Sequence, residues 1–370
     1  MRELVDRILA KAGIQANGPM PWDIQVRDAR FFQRVLAGRN LGLGESYMDG
    51  WWDCGQLDEF FARLLRSGVE GDLKGTPSLV LRTLKARLLN AQTRTRSREV
   101  ALRHYDLGND LFQAMLDPGM NYSCGYWKGA RDLEEAQARK LELVCRKLGL
   151  RPGIRLLDIG CGWGSLARYA AERHGAEVVG ITLSAEQKAF ADGACRGLPV
   201  EIRLQDYRDL PDEVFDRVAS IGMFEHVGHR NHAVFMDCVA RHLTGDGIFL
   251  LHTIGKNATA AGTDPWIEKY IFPNGEIPSA AQITRAAEGR FVLEDWHNFG
   301  ADYDRTLMAW HRNVSERWQD LKNRFDQRFC RMWTYYLLSC AGAFRARGLQ
   351  LWQVVLSRRG IPGGLAARDL

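Results

Sequence analysis

Seven apolar, strand-like runs alternate with helix-like segments after about residue 100, and no other feature of the chain limits its fold so strongly. The runs are IRLLDI (154–159), AEVVGI (176–181), VEIRL (200–204), FDRVASI (215–221), GIFLLHTI (247–254), FVLEDW (291–296) and LWQVVLS (351–357). Strands separated by helices predict an α/β domain, a mostly parallel sheet flanked by helices. Two connections in this region are long, residues 255–290 and a helical, aromatic-rich stretch from Asp304 to about Arg347. Connections of that length usually carry function or cover a site.

The region before this pattern reads as a smaller helical or mixed domain, with a turn at Asn17-Gly18-Pro19 and then FFQRVL, LGLGESYMDGWW and LDEFFARLL. Within it, Trp51 and Trp52 fit a core better than an interfacial anchor. From Leu73 to Arg98 the chain carries seven Lys or Arg residues and no acidic residue, while Leu81, Leu84 and Leu88 fall at helical spacing. That stretch suits either a solvated linker or a membrane-surface contact. The expected organisation is a domain at 1–72, a basic linker at 73–98 and a catalytic domain at 99–370, in keeping with a chain of 370 residues.

The formal charge of +5 implies an anionic partner, which could be nucleic acid, a phosphate-bearing metabolite or a membrane. Eight cysteines occur without a C-x-x-C pair or clustered histidines, so no metal site is expected and the thiols read as reduced, in a cytoplasmic protein. The opening Met1–Gly13 is too charged for a signal peptide, and no run approaches the roughly 20 apolar residues of a membrane span.

The string Leu157-Asp158-Ile159-Gly160-Cys161-Gly162-Trp163-Gly164 follows an apolar strand and enters a helix at Ser165–His174. Alternate glycines let the backbone approach a ligand, and the helix N-terminus beyond favours an anionic group. A dinucleotide fingerprint would place its third glycine one residue later. The spacing, with Asp158 before it to accept from a cationic amine, resembles motif I of S-adenosylmethionine methyltransferases, which implies a Rossmann-like class I methyltransferase fold with a seven-stranded sheet. The acidic residue that often holds the ribose after the second strand is replaced here by Thr182-Leu183-Ser184, with Gln187 one turn into the next helix. Asp206 and Tyr207, after the third strand, are placed to meet an adenine amine and ring.

Longer strings add to this: GLGESYMDGWW (42–52), HYDLGNDLF (104–112), LDPGMNYSCGYW (116–127), GMFEHVG (222–228), LLHTIG (250–255), KYIFPNG (269–275), DWHNFGADYDRTLMAW (295–310) and AGAFRARGLQLWQVV (341–355). Together they resemble the bacterial cyclopropane fatty acid synthases and, more distantly, the mycolic acid cyclopropane synthases, over nearly the whole chain. The resemblance implies a helical lipid-engaging first domain and cofactor contacts at Tyr122, Ser123, Gly160, Gly162, Thr182, Gln187, Asp206 and Tyr207. Asp158, Gly164 and Leu183 complete the expected cofactor set. It further implies methylene transfer to the cis double bond of an unsaturated phospholipid acyl chain. The base is then a bound bicarbonate ion cradled by Cys124, Glu225, His252, Ile254 (through its backbone amide) and Tyr303. The resemblance implies an enzyme that is cytoplasmic, peripheral to the inner face of the membrane, a homodimer, and without a nucleic-acid partner.

Simpler readings stand beside these. Glu225 and His226 could form an ion pair at a strand end, His252 could be a core histidine, and Tyr303 could anchor a loop. Cys124 is a lone thiol without the neighbours of a covalent nucleophile, and Cys340 reads as helix packing. Two rival functions remain: a related C-methylation giving a methyl-branched or hydroxylated chain, and a non-catalytic binder of membrane or nucleic acid.

Overall fold

The computed structural model describes residues 1–68, 108–260 and 262–365, so the basic stretch at 73–98 and the start of the HYDLGNDLF string lie outside the described residues. In chain order the described helices are α1 (Arg2–Lys11), α2 (Arg30–Met48), α3 (Leu57–Arg66), α4 (Asn109–Met115), α5 (Leu133–Lys147), α6 (Ser165–His174), α7 (Ala185–Ala194), α8 (His232–His242), α9 (Pro265–Tyr270), α10 (Ala280–Ala287), α11 (Ala301–Glu316), α12 (Trp318–Leu321) and α13 (Gln327–Arg345). The strands are β1 (Ile24–Val26), β2 (Trp52–Cys54), β3 (Arg155–Ile159), β4 (Glu177–Thr182), β5 (Val200–Leu204), β6 (Phe215–Ile221), β7 (Leu243–Lys256), β8 (Val292–Asn298) and β9 (Leu349–Ser357).

The chain divides into two compact units that interleave along the sequence. One takes Met1–Leu89, Ala260–Pro273 and Tyr303–Leu349; the other takes Asn90–Thr259, Asn274–Asp302 and Gln350–Leu370. The segments 260–273 and 303–349, which sequence reasoning groups with a catalytic domain at 99–370, therefore belong with the N-terminal region. The reason is aromatic packing. Trp52 is fully buried between Phe31, Tyr47 and Phe60, and its indole N–H donates to the Leu43 carbonyl and the Ser46 hydroxyl, both at 3.1 Å. Tyr335 of α13 then lies against Tyr47, Phe61 and Trp266 of α9, with ring centroids 5.6, 5.2 and 4.5 Å away. Large rings meeting in tilted and edge-on geometries contribute both buried area and quadrupole attraction. Trp51, by contrast, is half-buried beneath the guanidinium groups of Arg30 and Arg34.

The second unit is built on a seven-stranded sheet of order β5-β4-β3-β6-β7-β9-β8. Strands β5, β4, β3, β6 and β7 pair in parallel with their neighbours, and β8 pairs antiparallel with β9. All seven strand-like runs of the sequence fall on these strands. The central strands are buried on both faces, which is why their runs are more apolar than those of the edge strands β5 and β8. Leu157, Val179, Val218 and Phe249 join one cluster with Phe235 and Val239 of α8 and Ile283 of α10. Leu156, Val178, Ala219 and Leu250 join the opposite cluster with Val144 of α5 and Leu166 and Ala170 of α6. The strand order turns back between β3 and β6, and parallel sheets bind ligands beyond the carboxyl ends of the strands at such a point.

In the helical unit, α13 approaches α3 closely at Gly342, where an added Cβ would lie 2.6 Å from the Asp58 carbonyl oxygen and 3.0 Å from the Ala62 nitrogen. Backbone cannot yield as a side chain can. Gly342→Ala is expected to destabilise the chain by about 1–3 kcal/mol despite the better helix propensity of alanine, read as a lower denaturation midpoint.

Candidate active site

The glycine loop sits directly after β3. Gly160 and Cys161 both donate to the Ile181 carbonyl, at 2.9 and 3.0 Å, which ties the loop to the end of β4. All three glycines have positive φ (84°, 54° and 81°), but they serve different ends. A Cβ at Gly160 would strike Met223 at 2.8 Å, and one at Gly164 would strike Ala191 at 2.9 Å, whereas one at Gly162 meets nothing within 4 Å. Gly160 and Gly164 are thus needed for packing, and Gly162 for presenting bare backbone to the crevice. Gly164 is the N-cap of α6 and brings no capping side chain, so the first amides of the helix have no side-chain acceptor from that position.

Asp158 lies inside β3, wholly buried, and its Oδ2 has no hydrogen-bond partner. Burial raises its pKa to about 7, with the Lys140 ammonium pulling the other way. A buried carboxylate with a free acceptor beside this loop suits a cationic amine. Beyond β4, the Thr182 hydroxyl donates to Gln187 Oε1 at 2.8 Å and accepts from the Ser184 amide at 3.2 Å, while Leu183 is half-buried. Asp206 caps a short 3-10 turn and is gripped by Arg208 through both carboxylate oxygens. Tyr207 is half-buried with its ring edge-on to Phe235, 5.2 Å between centroids. Among the residues expected around S-adenosylmethionine, the glycine loop, Thr182 and Asp206 with Tyr207 lie at the ends of the adjacent strands β3, β4 and β5, and the free Asp158 oxygen and the open face of Gly162 fit that molecule.

The second group gathers at the ends of β6 and β7. Glu225 follows β6 on a 3-10 turn, and its Oε1 accepts from the Ile254 amide at 2.7 Å. Its Oε2 is buried without a well-aligned partner. Burial raises the carboxyl to about 7, against the lowering pull of the Ile254 amide. Burial lowers the adjacent His226 to about 4, which disfavours an ion pair with Glu225. His252 sits on β7 opposite Ile221, 1% exposed. Its Nδ1 lies 3.3 Å from the Gln353 amide nitrogen, and its Nε2 is buried without a partner. Burial pushes its pKa well below the usual imidazole value, and the charges of Lys140 and Lys147 push the same way. Cys124 is fully buried with its thiol 3.2 Å from the Gly125 carbonyl.

Tyr303 belongs to the helical unit, where its ring lies 4.6 Å from Phe344 and 5.9 Å from Trp310. Tyr122 and Ser123 lie on the sheet unit: Tyr122 packs edge-on to Phe112, and Ser123 is buried. The structure adds functional candidates that the motif reading missed. Gln353 touches His252, and Gln137 and Lys140 of α5 reach Ser123. The signal was present for the last two, because they interrupt the apolar stripe of Leu133, Ala136, Leu141 and Val144.

Comparison with known proteins identifies the family. Residues 92–354 match the family model Mycolic acid cyclopropane synthetase. The chain is 56% identical over 362 residues, 98% of its length and 94% of the relative's, to the cyclopropane-fatty-acyl-phospholipid synthase of Escherichia coli (strain K12). Among solved structures, the cyclopropane synthase MmaA2 from Mycobacterium tuberculosis is 33% identical with a TM-score of 0.67, covering 70% of this chain and 98% of that one. The mycolic acid cyclopropane synthase CmaA1, solved with SAH and CTAB, is 31% identical with a TM-score of 0.65, covering 70% of this chain and 98% of its own. The chain belongs to the mycolic acid cyclopropane synthetase family and is an S-adenosylmethionine-dependent methyltransferase.

Proposed function

We propose that the enzyme adds a methylene from S-adenosylmethionine across the cis double bond of an unsaturated phospholipid acyl chain, closing a cyclopropane ring. One observation carries this reading: two buried polar atoms, His252 Nε2 and Glu225 Oε2, stand without well-aligned partners on neighbouring strand ends. Buried polar atoms left so cost free energy, and they persist where a ligand completes them. An isolated double bond is a weak nucleophile, so attack on the sulfonium methyl demands alignment at van der Waals reach with water excluded. Transfer leaves a cation, and ring closure then needs a proton removed from the added methyl.

A bicarbonate ion, when bound, supplies that base. The chain's own groups suit it. His252 is held neutral and can donate one hydrogen bond; Glu225, near neutrality in its titration, shares a proton instead of repelling an anion. The Ile254 amide, already given to Oε1, fixes the carboxyl orientation. Cys124 contributes a buried thiol, and Tyr303 enters this reading only through the family resemblance. The positive charges of Lys140 and Lys147 that bear on His252 also favour a small anion there.

Among the described residues no helix is long and apolar enough to cross a membrane, and the chain carries a formal charge of +5. The positive charge favours action at the surface of an anionic bilayer, and the family resemblance alone adds the cytoplasmic side and a homodimer to this proposal. The rival products are methyl-branched or hydroxylated chains. Lipid extracts from cells expressing the chain should show unsaturated acyl groups heavier by one CH2, with the double bond lost; a retained double bond or an added oxygen would exclude ring closure.

Gly162→Val should weaken S-adenosylhomocysteine binding by about tenfold or more in calorimetry, because a side chain would occupy the space the backbone leaves. Glu225→Gln should cut turnover on the order of 100-fold with cofactor affinity nearly unchanged. The same variant carries a stability signature. Glu225 holds its proton more tightly folded than unfolded, so its contribution is fullest below about 4.5 and is lost as pH rises through about 7. Unfolding midpoints of Glu225→Gln and the parent should match near the acid end of that window, and the variant should gain by roughly 1–3 kcal/mol above it.

A further inference from the structure

Lys140 lies on α5 and is 2% exposed, a position where an ammonium group is costly unless its surroundings compensate. They do so with two hydrogen bonds, to Asn121 Oδ1 at 2.8 Å and to Ser123 Oγ at 3.2 Å. Asn121 Oδ1 also accepts from the hydroxyl of Ser165 at 2.6 Å, and Ser165 is the first residue of α6, directly after Gly164 of the glycine loop. The other end of Asn121 is fixed as well. Its amide nitrogen and its backbone N–H both donate to Asp117 at 2.9 Å, and Asp117 accepts from the Gly119 amide at the same distance. Gln137, one turn before Lys140, donates to the Ser123 carbonyl at 2.8 Å. Segment 117–123 is thus joined to the head of α6 at Asn121 Oδ1, an acceptor that Lys140 and Ser165 share.

We propose that Lys140 is a positioning residue for the methyl donor: it holds Ser123 and, through Asn121, Ser165 against the glycine loop in the arrangement that binds the methionine end of S-adenosylmethionine. Charge balance supports the same role. Asp117 and Asp158 are two buried carboxyl groups, and Lys140 is the cation that opposes both. Asp117 is satisfied by its three hydrogen bonds, whereas Asp158 Oδ2 has none. The ammonium of the bound methionine moiety brings the second positive charge, and Asp158 can receive it because Lys140 already favours its ionised form. Removing Lys140 takes away a hydrogen-bonding hub and the charge that keeps Asp158 receptive.

The inference rests on the donor binding at the glycine loop, and Gly162→Val tests that premise separately. Normal S-adenosylhomocysteine binding in Gly162→Val sinks the premise; loss of binding there leaves Lys140 to be judged by its own variants. Lys140→Met keeps the length of the side chain without its charge or donors. Titration calorimetry with S-adenosylhomocysteine and steady-state kinetics should show the dissociation constant and the KM for S-adenosylmethionine raised by about tenfold, with kcat at saturation within about threefold of the parent. Unchanged affinity, or a fall in kcat alone, overturns the proposal. If Lys140→Met fails to fold, Lys140→Gln and Ser165→Ala provide the test as a double-mutant cycle. One network predicts that Ser165→Ala weakens binding in the parent and adds little in Lys140→Gln, while full additivity overturns the link between them.

Discussion

A parallel sheet buried on both faces can place polar chemistry only at its edge, and this constraint organises the catalytic unit. The middles of β3, β4, β6 and β7 supply the apolar core, and apart from Asp158 inside β3 the candidate polar groups appear where the strands stop: the glycine loop after β3, Thr182 closing β4, Glu225 after β6, and His252 and Ile254 near the end of β7. Because the strand order turns back between β3 and β6, the loop that faces the methyl donor and the turn that carries Glu225 become neighbours, and Met223 packs where a Cβ on Gly160 would intrude. The donor site and the proposed proton-handling site are therefore adjacent by topology, before any side chain is considered.

Low polarity then sets the protonation of the site. Burial raises Asp158 and Glu225 to about 7 and depresses His252, so the groups of the proposed site are shifted away from their usual charges. That suits the proposed passage through a cation. A fully charged carboxylate or a strong side-chain nucleophile beside it would collapse onto it, whereas neutral groups and aromatic faces stabilise without reacting.

Much of this was legible in the sequence. Short apolar-rich runs separated by helix-like segments marked all seven strands, most clearly where both faces are buried, and the helix Ser165–His174 was readable from its glycine loop. The organisation of the helical unit was not, since α9 and α13 look like loop insertions until Trp266 and Tyr335 are seen packed against α2 and α3 partners. Lys140 escaped for a related reason: a lysine in a charged helix reads as solvated, and only its place on the buried stripe says otherwise. Asp206 was assigned from position after a strand, yet its clasp by Arg208 involves a neighbour two residues away that no motif requires.

The interleaving of the two units also bears on how the chain is made. Tyr47 and Phe61 find Tyr335 only when α13 has been synthesised, roughly 290 residues after Tyr47. At translation speeds of roughly 5–20 residues per second, the first helices spend tens of seconds on the ribosome with their aromatic face uncovered. Nascent α2 and α3 are thus a natural client for a chaperone, and the helical unit has to be completed after most of the sheet has left the exit tunnel.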